Sequence, residues 1–245
     1  ALGTVDGRYG RAGIEAGRAA IAAAMAGHVD AVVAAPQHEL AIKAAGIAFD
    51  GNPSFLARCT GTPIEQAFLM LCFDRFRITH VTAHVSLAGA IAMLSMPLVR
   101  AAIDATDATL RRIGIAAPRI AVSGINPHAG EAGLFGREEI DIIGPAIAAA
   151  KAAGHHVDGP FGADTMFNLR DYDAYIVMLH DQGHVLAKTL APNRGAALSI
   201  GTPVLFSSVA HGTAHDIAGR NAATPAAIVE AIERLTGAWH LPNQS

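Results

Sequence analysis

Short apolar runs alternate with longer alanine-rich segments along this chain, and this alternation limits its possible folds more than any other feature. The runs have the length of buried strands, whereas alanine is the strongest helix former. We predict helices over 14–27, 39–45, 96–113, 138–153 and 224–235, and strands over 30–35, 67–71, 77–82, 119–122, 175–179 and 196–200. Such alternation is typical of a mostly parallel sheet covered by helices, so the predicted fold class is α/β.

The composition supports a buried sheet and argues against several kinds of partner. Charged residues make up 16% of the chain and hydrophobic residues 51%, which suits strands covered on both faces. The formal net charge of −3 provides no long-range attraction to nucleic acid or to an anionic membrane. Cys59 and Cys72 lack CxxC spacing, and no apolar run is long enough to cross a membrane. We therefore expect a cytoplasmic protein that binds neither nucleic acid nor a membrane.

Three histidines lie where apolar runs end. His84, His128 and His180 follow the runs 78–81, 120–122 and 175–178. Ligand sites in open α/β sheets lie at the carboxyl ends of strands. Three neutral imidazoles leave one coordination position of a metal ion open, as in catalytic sites. One such histidine alone is more often an ordinary loop residue, but three in equivalent positions predict a metal site.

Charged residues near these histidines are further candidates. Asp181 and Glu131 are suited to accept the second ring N–H of a ligating imidazole. Asp164 can join or orient the site, and its alternative role is the cap of a short helix over 166–169. Lys188 lies in an apolar stretch, where a lysine loses its proton more easily and can transfer protons. Its alternative role is that of a surface residue.

Two other enzyme classes fit the sequence poorly. His180 and His184 have the spacing of a zinc peptidase, but no glutamate stands between them in H-E-x-x-H order, and Gly183 weakens a helix there. The stretch 207–219 contains serine, histidine and aspartate without the G-x-S-x-G elbow of a hydrolase. Its small residues instead predict a loop that closely approaches a ligand. The chain has no G-x-G-x-x-G, so a Rossmann nucleotide site is not expected.

Four motifs in this order resemble the 4-hydroxythreonine-4-phosphate dehydrogenase family. They are Asn126-Pro127-His128-Ala129-Gly130-Glu131, Gly159-Pro160 with Ala163-Asp164-Thr165, His180-Asp181-Gln182-Gly183, and His211-Gly212-Thr213-Ala214. The resemblance covers nearly the whole chain. It implies two α/β/α lobes of the isocitrate and isopropylmalate dehydrogenase type, and a homodimer. On this basis we expect residues 1–55 and 201–245 to form the first lobe and residues 56–200 the second, with an opening segment of the family missing before Ala1.

The same resemblance assigns the site. His84, His128 and His180 match the ligands of one divalent metal, with His180 serving the site of the partner subunit, and Lys188 matches a substrate-contacting lysine. Zinc is the expected metal, with magnesium, manganese and cobalt as alternatives. The stretch 211–219 resembles the H-G-S-A-P-D-I-A-G loop that holds the adenosine of NAD or NADP in β-decarboxylating dehydrogenases. Its expected cofactor-binding residues are His211, Gly212, Thr213, Ala214, Asp216 and Gly219.

Departures from the family pattern concern the substrate. Asn52 and Pro53 replace the His-Thr of a G-H-T-E turn, while Ala197 replaces an asparagine and Phe206 an arginine. Losing the arginine removes a bidentate anion clamp. We therefore expect Asn52, Lys188, Ala197 and Phe206 to contact a flat, largely apolar substrate rather than a phosphorylated amino acid.

Further segments resemble the branch that oxidises the cis-dihydrodiol of terephthalate. They are Ala48-Phe49-Asp50-Gly51-Asn52-Pro53-Ser54, Leu179-His180-Asp181-Gln182-Gly183-His184, Leu190-Ala191-Pro192-Asn193 and Ala197-Leu198-Ser199-Ile200-Gly201. The resemblance implies an NAD(P)-dependent, metal-dependent oxidoreductase of terephthalate degradation. It would oxidise and decarboxylate 1,2-dihydroxy-3,5-cyclohexadiene-1,4-dicarboxylate to protocatechuate and CO2, with Lys188 transferring the proton and Asp164 and Asp181 orienting ligands. The alternatives are 4-hydroxythreonine-4-phosphate oxidation, a zinc-dependent hydrolase on the same histidines, and a metal-binding member without catalysis.

Overall fold

One mixed sheet of eight strands runs through the part of the chain that the structure describes. The computed structural model describes residues 3–192 and 194–239. Asn193 of the terephthalate-type segment therefore lies outside the described residues, as do both ends of the predicted first lobe. The strands are β1 (Ala31–Val33), β2 (Phe68–Phe73), β3 (Phe76–His80), β4 (Arg119–Ser123), β5 (His156–Phe161), β6 (Ala174–Val177), β7 (Ala196–Ile200) and β8 (Leu205–Val209). Their order in the sheet is β1-β8-β7-β2-β3-β6-β4-β5.

The α-helices of the described ranges connect these strands. They are α1 (Gly7–Met25), α2 (Glu39–Ala44), α3 (Asn52–Thr60), α4 (Leu87–Met93), α5 (Met96–Arg112), α6 (Gly144–Ala152), α7 (His180–Leu190) and α8 (Ala226–Thr236). All five predicted helices are confirmed, although a π-helical turn over Glu139–Ile143 precedes α6. No single helix in the described residues is long and apolar enough to cross a membrane; α4 and α5 meet that criterion only together, and they are bent by 92°.

The sheet is mixed, which corrects the prediction of a mostly parallel one. β3, β6, β4 and β5 run parallel, and so do β1 and β8, but β8, β7, β2 and β3 pair antiparallel. The strands predicted over 67–71 and 77–82 form the β2–β3 hairpin, with Asp74 in a left-handed conformation at its turn (φ 41°). β7 likewise joins β8 through a short connection. Such connections force antiparallel pairing, because a parallel pair needs a crossover of a dozen or more residues.

Apolar residues form a core on each face of the sheet and a third core beneath the first helices. Met70 belongs to one face and Leu71 to the other, as the pleat of a strand requires. The third core joins Ile14 of α1 and Leu56 of α3 to Phe206 of β8. The structure thus has a mixed α/β fold with a single sheet. The two-lobe division remains a prediction, and α3 crosses its boundary at residue 55.

Gly183 marks a close approach of α7 to the sheet, and its replacement provides a test of the packing there. A Cβ at this position would overlap Nε2 of His80 and lie 2.9 Å from Cγ2 of Ile78. Alanine normally stabilises a helix interior relative to glycine by about 1 kcal/mol. We expect Gly183→Ala instead to lower the free energy of unfolding by about 2 kcal/mol, because the buried His80 ring has no room to move. Urea denaturation measures the change.

The matched control is Gly212→Ala, because a Cβ at that position would meet nothing within 4 Å. Its free energy of unfolding should stay within about 0.5 kcal/mol of wild type, as for surface substitutions in general. Equal or greater stability of Gly183→Ala than of wild type would show that α7 does not rest on His80.

Candidate active site

The three predicted histidines follow three neighbouring parallel strands. β3 ends at His80 before His84, β6 ends at Val177 before His180, and β4 ends at Ser123 before His128. Because these strands are adjacent in the order β3-β6-β4 and parallel, their carboxyl ends lie at one edge of the sheet. The predicted strand-end placement of all three histidines is therefore confirmed.

Within the chain, only two of these three histidine rings lie side by side. The ring centres of His84 and His180 are 5.7 Å apart. His128 is oriented elsewhere: its side chain is 67% exposed, and its Nδ1 lies 3.5 Å from Oε2 of Glu131. No three His, Cys, Asp or Glu side chains within the described ranges are placed to hold a metal ion together. In the prediction from the sequence, His180 was the ligand that reached the metal site of the partner subunit. In the structure, His180 lies beside His84, and His128 is the ligand that lies apart.

Two further histidines pack against this pair. The rings of His180 and His184 stack on the first turns of α7, 3.6 Å apart and 13° from parallel. Nδ1 of His184 lies 3.1 Å from Nε2 of the buried His80. His180 and His184 therefore lie on one helix, although Gly183 made a helix unexpected there. The two rings stack on each other and do not have the arrangement of a zinc peptidase. His80 could not be identified from the sequence, because it is the last residue of β3 and nothing around it in the chain indicates a site.

The loop that carries His128 has an unusual backbone. His128 and the four residues after it all have left-handed φ angles between 42° and 80°, and of these only Gly130 is a glycine. For other residues this conformation costs about 1–2 kcal/mol each. The loop therefore requires support from the surrounding fold.

Glu139 provides that support. Its carboxylate accepts hydrogen bonds from the backbone N–H groups of Ile125 and Asn126, both at 2.8 Å, and from Nδ2 of Asn126 at 2.9 Å. Burial alone would raise the pKa of Glu139, but these hydrogen bonds outweigh burial and hold the pKa below its usual value of 4.5. Glu139 has no recognisable signal in the sequence, because its partners are more than ten positions away.

A cavity of about 370 Å³, here called the main cavity, lies beside His84 and His184. Its other lining residues are Pro36, Gln37, Glu39, Phe49, Gly51, Asn52, Pro53, Leu69, Leu71, Cys72, Phe73, Ala187, Lys188, Ala191, Arg194, Ala196, Ala197, Ser199, Ser208, Val209, Ala210, His211 and Gly212. Lys188 Nζ donates to the carbonyl oxygen of Ala210 at 2.6 Å, and Asn52 Nδ2 donates to Ser208 Oγ at 3.0 Å. The main cavity thus combines apolar walls with cationic and hydrogen-bonding groups.

The predicted substrate residues divide between this cavity and the core. Asn52, Lys188 and Ala197 line the main cavity. Phe206 does not: it is 2% exposed, packs in the core beneath α1 and α3, and borders a neighbouring cavity. A contact between Phe206 and a substrate therefore stays a prediction.

The two predicted orienting carboxylates lie on different parts of the site. Asp181 Oδ1 accepts a hydrogen bond from Nδ1 of His180 at 2.7 Å, although its side chain is 86% exposed. Asp164 instead lies near the loop that carries His128. Both are close to Gly162: the position that a Cβ on Gly162 would take is 2.8 Å from Asp164 Oδ1 and 3.9 Å from His128 Cα. The alternative capping role of Asp164 is not seen, because the short helix Met166–Asn168 begins after Thr165 without a side-chain cap.

The predicted nucleotide loop separates the main cavity from a second cavity of about 910 Å³. His211 and Gly212 line the main cavity, whereas Thr213 and His215 line the second. The remaining predicted cofactor residues, Ala214, Asp216 and Gly219, are exposed on the same loop. Pro36 and Gln37 border both cavities, so the two spaces are neighbours.

The family model of the pyridoxal phosphate biosynthetic protein PdxA matches residues 1–235. The chain belongs to the PdxA family. The family resemblance predicted from the four motifs is therefore confirmed. Relatives within the PdxA family are dehydrogenases that differ in substrate.

Two curated relatives illustrate these differences. The 1,2-dihydroxy-3,5-cyclohexadiene-1,4-dicarboxylate dehydrogenase of Comamonas sp. is 47% identical over 233 residues, which are 95% of this chain and 74% of that protein. The D-threonate 4-phosphate dehydrogenase of Cupriavidus necator is 44% identical over 84% of this chain and 62% of that protein. The chain thus spans 62–74% of the length of these two relatives.

Solved structures of similar proteins include a dihydrodiol dehydrogenase and a 4-hydroxythreonine-4-phosphate dehydrogenase. The terephthalate 1,2-cis-dihydrodiol dehydrogenase of Burkholderia xenovorans LB400 has a TM-score of 0.78 at 44% identity, over 97% of this chain and 76% of that one. The 4-hydroxythreonine-4-phosphate dehydrogenase of Klebsiella pneumoniae has a TM-score of 0.84 at 38% identity, over 95% and 72%. Isocitrate dehydrogenase of Methylococcus capsulatus, at 14% identity and a TM-score of 0.51 over 83% and 66%, shares the fold alone.

Proposed function

We propose that this chain is a metal-dependent NAD(P) oxidoreductase that oxidises and decarboxylates a cis-dihydrodiol carboxylic acid of the 1,2-dihydroxy-3,5-cyclohexadiene-1,4-dicarboxylate type. The composition of the main cavity carries the proposal. Apolar walls from residues such as Leu69 and Ala197 suit a flat ring, while Lys188 and Arg194 offer one cation to each of two carboxylates. The 47% identity to the Comamonas dihydrodiol dehydrogenase supports the same substrate class.

A divalent cation fits the histidines of this chain. Two imidazoles that bind one cation at about 2.0–2.1 Å have ring centres about 5–6 Å apart, and the separation of His84 and His180 falls in that range. Because Asp181 accepts the Nδ1 proton of His180, the lone pair of Nε2 is left for the cation. We propose zinc as the cation and a homodimer in which His128 comes from the partner subunit.

A dinucleotide fits the two neighbouring cavities. The loop 211–219 borders both of them, and Pro36 and Gln37 continue this border on the other side. A ligand that extends from one cavity into the other would contact the predicted cofactor residues on its way.

The chain's own groups would bind, orient and protonate the substrate. When bound, the cation would supply Lewis acidity and the nicotinamide would supply a hydride acceptor. Lys188 Nζ, which donates to the Ala210 carbonyl in the free protein, would hold a carboxylate. When CO2 leaves, the electron pair of the broken C–C bond completes the aromatic ring, and Lys188 would deliver a proton to the oxygen of the oxidised carbon, which becomes a catechol hydroxyl. Leu69 and Ala197 would exclude water from the ring. Asp164 would orient the partner's copy of the site together with His128.

Turnover assays with the dihydrodiol and with 4-hydroxythreonine 4-phosphate test the proposal. We expect NAD(P) reduction and CO2 release with the dihydrodiol, and none with the phosphorylated amino acid. The opposite pattern would identify a 4-hydroxythreonine-4-phosphate dehydrogenase, the alternative to which the Klebsiella structure is related. Product formation without a nicotinamide cofactor would identify a zinc-dependent hydrolase. Zinc binding without turnover of any of these compounds would indicate a member that has lost catalysis.

Ser199 provides a second test of the main cavity. Ser199 lines the cavity and is 2% exposed, and its buried hydroxyl makes no hydrogen bond within the described residues. An unpaired buried hydroxyl costs about 1–3 kcal/mol, and a bound ligand relieves that cost. We therefore expect Ser199→Ala to leave the melting temperature of the free protein unchanged or higher, and to raise KM for the dihydrodiol about tenfold. A lower melting temperature with an unchanged KM would instead assign Ser199 to the core.

A further inference from the structure

Hydrogen bonds fix the proton positions of two neighbouring histidine rings. Nδ1 of His80 lies 3.3 Å from the carbonyl oxygen of Leu69. Because a carbonyl only accepts, Nδ1 of His80 carries the proton and Nε2 carries a lone pair. Nδ1 of His184 lies 3.1 Å from that lone pair and 3.2 Å from the carbonyl oxygen of His180. Since both neighbours are acceptors, Nδ1 of His184 is the donor.

The same hydrogen bonds leave one acceptor on each ring. Nε2 of His80 accepts from His184 and therefore carries no proton. In His184 the proton lies on Nδ1, and an imidazole with one proton has one nitrogen left to accept a hydrogen bond. The acceptor of His184 is Nε2.

Nε2 of His184 makes no hydrogen bond to any residue that the structure describes, and the ring lines the main cavity. This nitrogen is not among the fully buried unpaired atoms of the described residues, so a molecule in the cavity can reach it. We propose that Nε2 of His184 accepts a hydrogen bond from a hydroxyl of the bound substrate, so that this residue selects hydroxylated acids. The proposal rests on the proposed function, which places a diol acid in the same cavity.

The geometry favours a substrate hydroxyl over a metal ion as the partner. A metal lies in the plane of an imidazole that binds it, along the lone pair. The rings of His180 and His184 are nearly parallel and 3.6 Å apart, so their lone pairs run side by side rather than meeting at one point. Accordingly, His84, His180 and His184 do not form a three-residue metal group within the part of the chain that the structure describes.

Two substitutions separate recognition from support of the fold. In His184→Asn, the amide retains a donor toward His80 but does not reach the cavity. In His184→Gln, the amide reaches the position of Nε2 but loses the bond to His80. The probes are 3,4-dihydroxybenzoate and benzoate, whose affinities for the purified protein are measured by calorimetry. We expect His184→Asn to bind dihydroxybenzoate about tenfold more weakly than wild type and benzoate equally well, and His184→Gln to retain most of the affinity.

The opposite order of the two variants, or an equal loss for both probes, would overturn the proposal and make His184 a support for His80. If wild type binds neither probe, the proposed function fails and this proposal fails with it. If wild type prefers dihydroxybenzoate and both variants share that preference, only the role of His184 fails. A tenfold loss of zinc affinity in His184→Asn would make His184 a metal ligand instead.

Nitrogen-15 spectra provide a readout that does not depend on activity. Nε2 of His184 should be unprotonated, and its resonance should shift when dihydroxybenzoate binds. A protonated Nε2 would contradict the proposal.

Discussion

Dimers mixed from His84→Ala and His128→Ala protomers should recover about a quarter of wild-type activity, although each variant alone should lose at least about 100-fold. The expectation follows from the placement of the rings: His84 and His180 lie together in one chain, and His128 does not lie with them. A shared site would then use two histidines of one protomer and the third of its partner. Each mixed dimer contains one intact site, and random reassociation makes about half of the dimers mixed.

The control mixture combines His84→Ala with His180→Ala. Both histidines come from the same chain, so no mixed dimer contains an intact site, and activity should stay at the level of the single variants. Activity and bound zinc are both measured after denaturation and joint refolding. Recovery in the control mixture and none in the test mixture would restore the division predicted from the sequence, in which His180 serves the partner subunit. Full activity of His128→Ala alone would remove His128 from the site.

Glu139→Ala should lower the free energy of unfolding by about 3 kcal/mol and abolish turnover. The substitution leaves two backbone N–H groups and the Asn126 amide without their acceptor, and each unpaired buried donor costs about 1–3 kcal/mol. The left-handed turn that positions His128 loses its support at the same time. Urea denaturation and steady-state assays measure the two effects. The control is Glu15→Gln, which changes an exposed carboxylate on α1 and should alter neither.

The pH dependence of stability provides an independent readout of Glu139. Its pKa is lowered in the folded protein, so its contribution is fully present above the usual value of 4.5 and is lost as the pH falls through the lowered value. Glu139→Gln cannot titrate. We therefore expect its free energy of unfolding to fall less steeply than that of wild type between pH 5 and about pH 3. Identical acid profiles for the two proteins would show that the carboxylate is not charged in the native loop.

The strand-end histidines were predictable from the sequence because each follows an apolar run that forms a strand. Parallel neighbours then bring those strand ends to one edge, which is a general property of such sheets. What periodicity cannot indicate is which rings meet within one chain. That choice depends on the path of each loop, and the left-handed turn at His128 has no clear signal, since only Gly130 among its residues favours that conformation.

The missed elements have specific physical causes. α7 was not predicted because Gly183 has a low helix propensity, and the reason for the glycine is a contact with His80 in a distant strand. β8 contains two serines and β5 a Gly-Pro pair, which hide their strand character. Without β8, the β7–β8 hairpin could not be foreseen, and the sheet was expected to be mostly parallel.

The start of the last helix was also misplaced. The helix predicted over 224–235 begins at Ala226, where Pro225 occupies the cap position and Thr224 Oγ1 accepts a hydrogen bond from the N–H of Ala226. Shifts of one or two residues are not resolved by sequence propensity.

The histidine-bearing loop between β4 and α6 is not a portable motif. Its alanines and its glutamate hold backbone angles that a free peptide of the same sequence would abandon, because the carboxylate that keeps them there belongs to the following helical segment. Grafting the loop onto another scaffold would therefore transfer the side chains without their positions. Any transplant has to include Glu139 and the start of α6 as one unit.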